Sequence, residues 1–501
     1  MATSATDYHW QTSYDRHKLG GHFLDWANKP NLFKKYPNLK TVPLHHEGIP
    51  DEKLSQVIGK KEMAKDSGSV SLKQLCQIFS LAYPLTVKSR YPGGEFLHRS
   101  VPSAGGLFPC ELYASFENIP DMDDGLYHYS VDQHALVQLR DGKFLGYDMV
   151  ASHSEASGES PCTLLNFFIT AIFYRGAWKY RDRSYRYHLL DTGHLLENLL
   201  LPLKALGLRF EICYDFEDSK ANHFLGLDSQ KEVCLALVRV LGNQTSPEAF
   251  AEKIEDLPET FQSASQVSPK EIQYPELWKI HSATSLVKPS PTPQQDMISQ
   301  TGRVPDSWEK IPRPEKWPRE RSYAQSVLTR RSLRNFVDQE LSESHFKALL
   351  VTLCAGDRHD AFQENSVCMG FIAGNVENIE PGSYWVDRAE SSVGLIRAGN
   401  WISSMPHICL DQDWLARAAI HVFFAVNLEA LEQTWGPRGY RYAMLTAGRL
   451  GQRLYLGATA LGLGCCGIGA FYDQEASALL ELNPESRMLY LLGAGPVKKQ
   501  F

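Results

Sequence analysis

Three short stretches carry residue types whose spacing could do chemistry. The first, Thr329 to Phe336, reads TRRSLRNF and sets Arg330, Arg331 and Arg334 around Ser332. Guanidinium forks beside a hydroxyl suit a phosphate, because charge-assisted bidentate hydrogen bonds are strong and geometrically selective. A solvated or ion-paired face is the plainer reading of such a cluster. The second, Arg99 to Pro109, reads RSVPSAGGLFP. Pro102, Ser103, Ala104, Gly105 and Gly106 add little side-chain bulk, so bare backbone there can approach a flat ligand; a tight turn between helix and strand would look the same. The third, Gly464 to Phe471, reads GCCGIGAF and includes Gly467, Ile468, Gly469 and Ala470. It could offer a backbone amide to a ring nitrogen, or simply stop a helix and begin a strand. Neither glycine-rich stretch has a dinucleotide fingerprint or a phosphate-loop lysine, so neither nicotinamide nor nucleoside triphosphate binding is indicated.

The elements that must position these stretches occur twice. Residues 183–208 read RSYRYHLLDTGHLLENLLLPLKALGL and residues 438–463 read RGYRYAMLTAGRLGQRLYLGATALGL, 255 positions apart. Tyr185, Arg186, Tyr187, Gly193 and the closing Ala205-Leu206-Gly207-Leu208 fall on identical residues in the second copy. A spacing this long denotes two copies of a domain, since solenoid units run about 20 to 50 residues. The repeated segment reads as a long leucine-rich helix, which Pro202 and Gly457 are expected to interrupt at equivalent places. Ser71 to Leu81 and Ser342 to Cys354 read as helices, each with a serine able to cap free N–H groups. Gly125 to Leu139 and Pro381 to Ile396 read as strand, turn, strand, and the apolar runs CLALVRVLG and MLYLLGAGP suit buried strands. Two mixed α+β domains follow.

The 501 residues exceed a single core and fit two or three domains. A net charge of −7 without a basic block argues against nucleic acid, and no apolar run reaches the length of a membrane span. The N-terminus lacks the pattern of a signal peptide, and the ten cysteines show no CxxC spacing. A reducing, cytoplasmic setting without a bound metal is therefore expected. Residues 247–318 hold eleven of the 27 prolines and read as a linker or wrapping arm, with Trp278, Trp308 and Trp317 placing parts of it against a surface. The expected division is an N-terminal arm over 1–65, a first domain over 66–243, a proline-rich linker over 244–320 and a second domain over 321–501.

Together RRSLRNF, PSAGGLFP, the paired strands, WKYRDRSYRYHLLDTGHLLENLL with its trailing ALGL, and GIGAF resemble the flavin-dependent nitroreductase superfamily. The likeness is to its SagB-type branch, dehydrogenases that oxidise azolines to azoles in ribosomal peptide products. The resemblance implies two tandem nitroreductase-like domains, each a mainly antiparallel sheet flanked by helices, fused as an intramolecular pseudo-dimer. It implies FMN as cofactor, with Arg330, Arg331 and Ser332 at phosphate and ribityl, Arg334 at the N1/O2 edge, Gly469 and Ala470 near N5, and the Pro102 to Gly106 loop along the ring. Lys498 and Lys499 would stand within reach of the phosphate. The first copy keeps PSAGG but lacks RRSxR and carries CYDF, Cys213 to Phe216, in place of GIGAF; the second keeps RRSLR and GIGAF, but DRHDAFQENSVCMG has no Pro-Ser. Complementary losses imply one composite FMN site.

Lys179 and Tyr180 match the lysine-tyrosine pair of SagB-type dehydrogenases, where a buried lysine of lowered pKa would take the carbon proton and tyrosine would orient substrate or relay that proton. The second copy has Thr434 and Trp435 there. An exposed helix entry is the plain alternative. The expected partners are a peptide or small-molecule substrate, NAD(P)H or oxygen as redox partner, and a further homodimer left open. Two other readings stand beside this one: an NAD(P)H-dependent reductase of a small molecule, and a catalytically inactive flavin-binding scaffold.

Overall fold

The computed structural model describes residues 4–45, 48–49, 51–60, 69–91, 94–147, 149, 161–245, 254–285, 297–355 and 363–498. Lys499, the first part of the DRHDAFQENSVCMG segment and parts of the proline-rich stretch lie outside the described residues. The chain divides into two units. One comprises residues 23–50 and 60–289, and the other residues 1–22, 51–59 and 290–501.

The unit built on the first repeat centres on a seven-stranded antiparallel sheet. Its strands lie in the order Thr41–Pro43, Ala135–Asp141, Gly125–Ser130, Cys110–Phe116, Pro161–Ile172, Glu232–Thr245 and Arg209–Cys213. The helix Leu72–Ala82 and the repeat helix Ser184–Ala205 pack a leucine- and phenylalanine-rich core on this sheet, including Leu75, Phe79, Leu112, Phe167, Leu196 and Val238. Each such side chain contributes about 1.5–3 kcal/mol on leaving water. A separate two-stranded hairpin, Leu85–Tyr91 with Gly94–Arg99, precedes the Pro-Ser loop.

The unit built on the second repeat has the same order: Glu309–Lys310, Ser392–Ala398, Gly382–Asp387, Cys368–Ala373, Ile420–Asn427, Ser486–Gly495 and Gly464–Ile468, again all antiparallel. Each unit is thus an α+β domain with the same seven-strand order, as a tandem repeat requires. Serine starts the helix before the sheet in both units. Ser71 and Gln74 form a reciprocal capping box for Leu72–Ala82, and Ser342 accepts the His345 N–H ahead of Glu343–Cys354.

The repeat helices depart from expectation. Both run unbroken for 22 residues, Ser184–Ala205 and Gly439–Ala460, through Pro202 and Gly457. Pro202 sits in the last turn, where the helix loses a single bond, and its carbonyl still accepts the Leu206 N–H at 3.0 Å. Gly457 packs against the neighbouring helix, where a Cβ would stand 3.4 Å from both Leu349 and Thr352.

The structure also exposes a repeated element that lies outside the 255-residue frame. His9, Thr12 and Ser13 end the helix Ala5–Gln11, and His281, Thr284 and Ser285 end the helix Pro275–Thr284, 272 positions later. In both places the serine and threonine hydroxyls bond the histidine carbonyl. His9 meets the Tyr440 hydroxyl at 3.0 Å and Asp473 at 3.5 Å. His281 meets the equivalent Tyr185 hydroxyl at 3.4 Å and the equivalent Asp218 at 3.8 Å. The helix that precedes the first repeat therefore belongs to the unit of the second, and the helix that precedes the second repeat belongs to the unit of the first.

Candidate functional site

In the second-repeat unit, the RRS segment follows the helix Tyr323–Thr329 and runs beside the strand Gly464–Ile468. The Leu333 N–H donates to the Cys465 carbonyl at 3.0 Å. Gly464 permits this approach, since a Cβ there would come within 2.2 Å of Val497 and 3.3 Å of Leu333. Tyr455, on the repeat helix, joins the two motifs. Its hydroxyl accepts the Gly467 N–H at 2.6 Å and lies 3.1 Å from Ser332 Oγ. The Arg330 guanidinium stands over the Tyr455 ring at 5.3 Å.

Arg330 is buried and Arg331 half-buried. Burial pushes Arg330 down to about 10, with the neighbouring Arg331 acting in the same direction and Tyr455, Cys465 and Cys466 opposing it. Burial alone lowers Arg331. One buried and one half-buried guanidinium thus stand side by side, an arrangement that suits an arriving anion. Arg334 is exposed and lies over the Trp414 ring at 5.7 Å. The chain's end returns to this segment, where the Lys498 N–H donates to the Asn335 carbonyl at 3.1 Å. Ile468 is buried in its strand, and Gly469 and Ala470, half-buried, follow it.

In the first-repeat unit, Pro102 is buried and Ser103 to Gly106 form a tight turn. Gly105 and Gly106 take φ of 64° and 67°, the left-handed region that glycine enters without strain. The structure brings Lys179 and Tyr180 to this turn. A Cβ on Gly105 would stand 2.9 Å from the Tyr180 hydroxyl, 3.3 Å from Lys179 Cδ and 3.4 Å from Lys179 Nζ. On the other side, a Cβ on Gly106 would meet the Phe96 ring at 2.6 Å. Lys179 and Tyr180 close the helix Phe173–Tyr180 and are half-buried, with the Lys179 ammonium 5.4 Å from the Tyr180 ring centre. Tyr180 packs edge-on against Tyr187 at 4.6 Å.

Sequence reasoning passed over Asp191 and Tyr455. Asp191 accepts the Ser103 hydroxyl at 2.6 Å and the Ala104 N–H at 3.3 Å, and burial pushes its carboxyl up to about 7. An acidic residue in the middle of the leucine-rich repeat helix, where the second copy has Thr446, was the available signal. Both sites are also absent from the opposite repeat: Thr446 stands at the equivalent of Asp191, and Leu200 at that of Tyr455.

Among the described residues, no cluster of histidine, cysteine, aspartate or glutamate could hold a metal ion. All ten cysteines are free thiols. No helix among the described residues is long and apolar enough to cross a membrane.

Comparison with known proteins gives a consistent picture. The pattern of the nitroreductase family matches residues 64–242 and 388–495. A proposed nitroreductase of Methanocaldococcus jannaschii is 26% identical over 204 residues, covering 40% of this chain and 96% of its own length. The microcin B17-processing protein McbC of Escherichia coli is 27% identical over 229 residues, covering 44% of this chain and 79% of its own. The crystal structure of a proposed nitroreductase from Anabaena variabilis aligns with a TM-score of 0.75 and 25% identity, over 99% of this chain and 100% of that one.

Proposed function

The chain belongs to the nitroreductase family, and we propose that it is an FMN-dependent oxidoreductase of the SagB type, a dehydrogenase holding one FMN per chain. The observation that carries this reading is the adjacent pair of guanidinium groups, Arg330 buried and Arg331 half-buried, on the segment that runs beside the glycine-rich strand Gly464–Ile468. Together with Ser332, held at Tyr455, they form a donor set suited to the phosphate and ribityl oxygens of FMN. Arg334 would favour negative charge on the N1/O2 edge, and the backbone after Ile468 would face N5. Pro102 to Gly106 would line the ring. In the sequence each repeat keeps motifs that the other lacks, which supports one cofactor per chain.

When bound, FMN supplies a hydride-accepting N5 position. The chain's own residues supply the rest. Lys179 Nζ takes the proton from the substrate carbon, and the Tyr180 hydroxyl orients the substrate ring or passes that proton on. Their contact with Gly105 sets both groups beside the loop assigned to the flavin ring. Similarity to a microcin-processing protein supports a peptide as substrate, and the SagB-type resemblance supports an azoline within it. Similarity to the Methanocaldococcus protein supports a second reading, in which NAD(P)H reduces the cofactor and a small nitro compound reoxidises it.

A thiazoline-containing peptide distinguishes the two. The dehydrogenase reading expects conversion to the thiazole, losing two hydrogens with oxygen as the final electron acceptor, and loss of that conversion in Lys179→Ala with flavin retained. NADPH-dependent nitro reduction that is indifferent to Lys179 would favour the second reading instead.

A further inference from the structure

Asp191 lies in the middle of the repeat helix Ser184–Ala205 and is 7% exposed. Its two oxygens accept from adjacent residues of the Pro-Ser loop, the Ser103 hydroxyl and the Ala104 N–H. Ser103 Oγ in turn accepts the Phe108 N–H at 2.8 Å, so one carboxylate closes the turn at both ends. Seven residues along the same helix, Asn198 Nδ2 donates to Ser100 Oγ at 3.1 Å and to the Leu81 carbonyl at 2.8 Å. Two side chains of one helix thus grip the chain on either side of Pro102.

A buried carboxylate is a costly way to secure packing, since its charge must leave water for two hydrogen bonds. The upward push on its pKa reflects that cost. The second repeat shows that the helix does not need it. Thr446 stands there, its hydroxyl buried without a hydrogen-bond partner among the described residues, in the repeat that has no Pro-Ser loop. The carboxylate accompanies the loop, and the loop accompanies Lys179 and Tyr180.

We propose that Asp191 is a positioning residue that acts through Ser103: it fixes the Ser103 to Gly106 turn so that Gly105 holds its place against Lys179 Nζ and the Tyr180 hydroxyl. The role in turnover rests on the dehydrogenase reading above, whereas the hold on the turn does not.

The test uses the full chain and four variants: Asp191→Ala, Asp191→Asn, Ser103→Ala and the double Ser103→Ala/Asp191→Asn. Amide hydrogen exchange at Ala104 and Phe108 should quicken about tenfold or more in Asp191→Ala, the equivalent of one lost hydrogen bond, with the sheet strands unchanged. Unchanged exchange at both amides would overturn the hold on the turn. With FMN added, Asp191→Asn should alter the visible circular dichroism of the flavin while changing FMN affinity less than about threefold, because the arginine cluster is untouched. Turnover of a thiazoline peptide should fall by about tenfold in kcat with little change in KM, and the double variant should be no slower than the slower single variant. Fully additive losses would overturn action through Ser103. A wild-type chain that binds no FMN would refute the dehydrogenase reading and the role in turnover, leaving the exchange result to decide the hold on the turn by itself.

Discussion

The Tyr455 hydroxyl accepts the Gly467 N–H at 2.6 Å, joining a residue of the repeat helix to the glycine-rich strand twelve positions later. Gly467 has to be glycine for this geometry, because a Cβ would fall 1.9 Å from the Tyr490 hydroxyl. The same Tyr455 oxygen faces Ser332, so one hydroxyl registers RRS against GIGAF. Tyr455→Phe removes only that oxygen. It should cost about 1–3 kcal/mol of stability through the unsatisfied Gly467 amide, and weaken FMN binding about tenfold by freeing Ser332. Urea unfolding and fluorescence titration with FMN check the two effects separately.

Arg331 should give opposite signs in the two assays. Its guanidinium is half-buried, and burial alone accounts for its lowered pKa. Arg331→Met keeps the apolar stem and removes the charge. Without FMN the variant should be as stable as the parent or slightly more so, while FMN affinity falls by about tenfold to a hundredfold, the range for a lost charge-assisted hydrogen bond. Loss of stability without loss of affinity would make Arg331 a structural ion.

Gly105→Ala combines two strains, a φ of 64° and a Cβ only 2.9 Å from the Tyr180 hydroxyl. The backbone term alone is about 1 kcal/mol. Displacement of Lys179 and Tyr180 should lower peptide oxidation by about a hundredfold, comparable to removing a general base. Retained FMN with lost turnover is the expected pattern, measured by absorbance and by product mass.

Acid sensitivity should track His188. Burial holds this imidazole down at about 3, so the folded unit keeps it neutral while an unfolded chain protonates it near 6.5. Stability from this group is complete above pH 6.5 and declines as pH falls toward 3, by up to about 1.4 kcal/mol per pH unit. Asp191, raised to about 7, acts in the opposite sense, favouring the folded state as pH falls from 7 toward 4. His188→Phe should therefore flatten the acid limb of a urea-midpoint series, and Asp191→Asn should steepen it.

The exchanged helices offer a structural prediction. His9 and His281 each stand between an equivalent tyrosine and aspartate, and their loss leaves those buried groups without the imidazole. His9→Ala and His281→Ala should each destabilise by about 1–3 kcal/mol. Limited proteolysis should then cut the second-repeat unit first in the His9 variant and the first-repeat unit first in the His281 variant.

Local rules made much of this fold readable. Ser71 and Ser342 cap the helices expected of them, and the hairpins at Gly125 and Gly382 follow from alternating apolar residues around short turns. Pro202 and Gly457 misled because propensity was weighed without the packing that surrounds both helices. Asp191 and Tyr455 escaped notice because they act from a helix onto loops that are close in space but distant or unremarkable in sequence. The His-x-x-Thr-Ser element was hidden by its spacing of 272, since the 17 extra positions shift it out of the frame that revealed the main repeat.

The central claim is one FMN per chain, and the direct measurement is the visible spectrum of the purified chain with quantitation of the released chromophore. The account predicts a flavin band and close to one FMN per chain, with lower occupancy in Arg331→Met. Two FMN per chain would contradict the single site, and no flavin after reconstitution would contradict the cofactor itself.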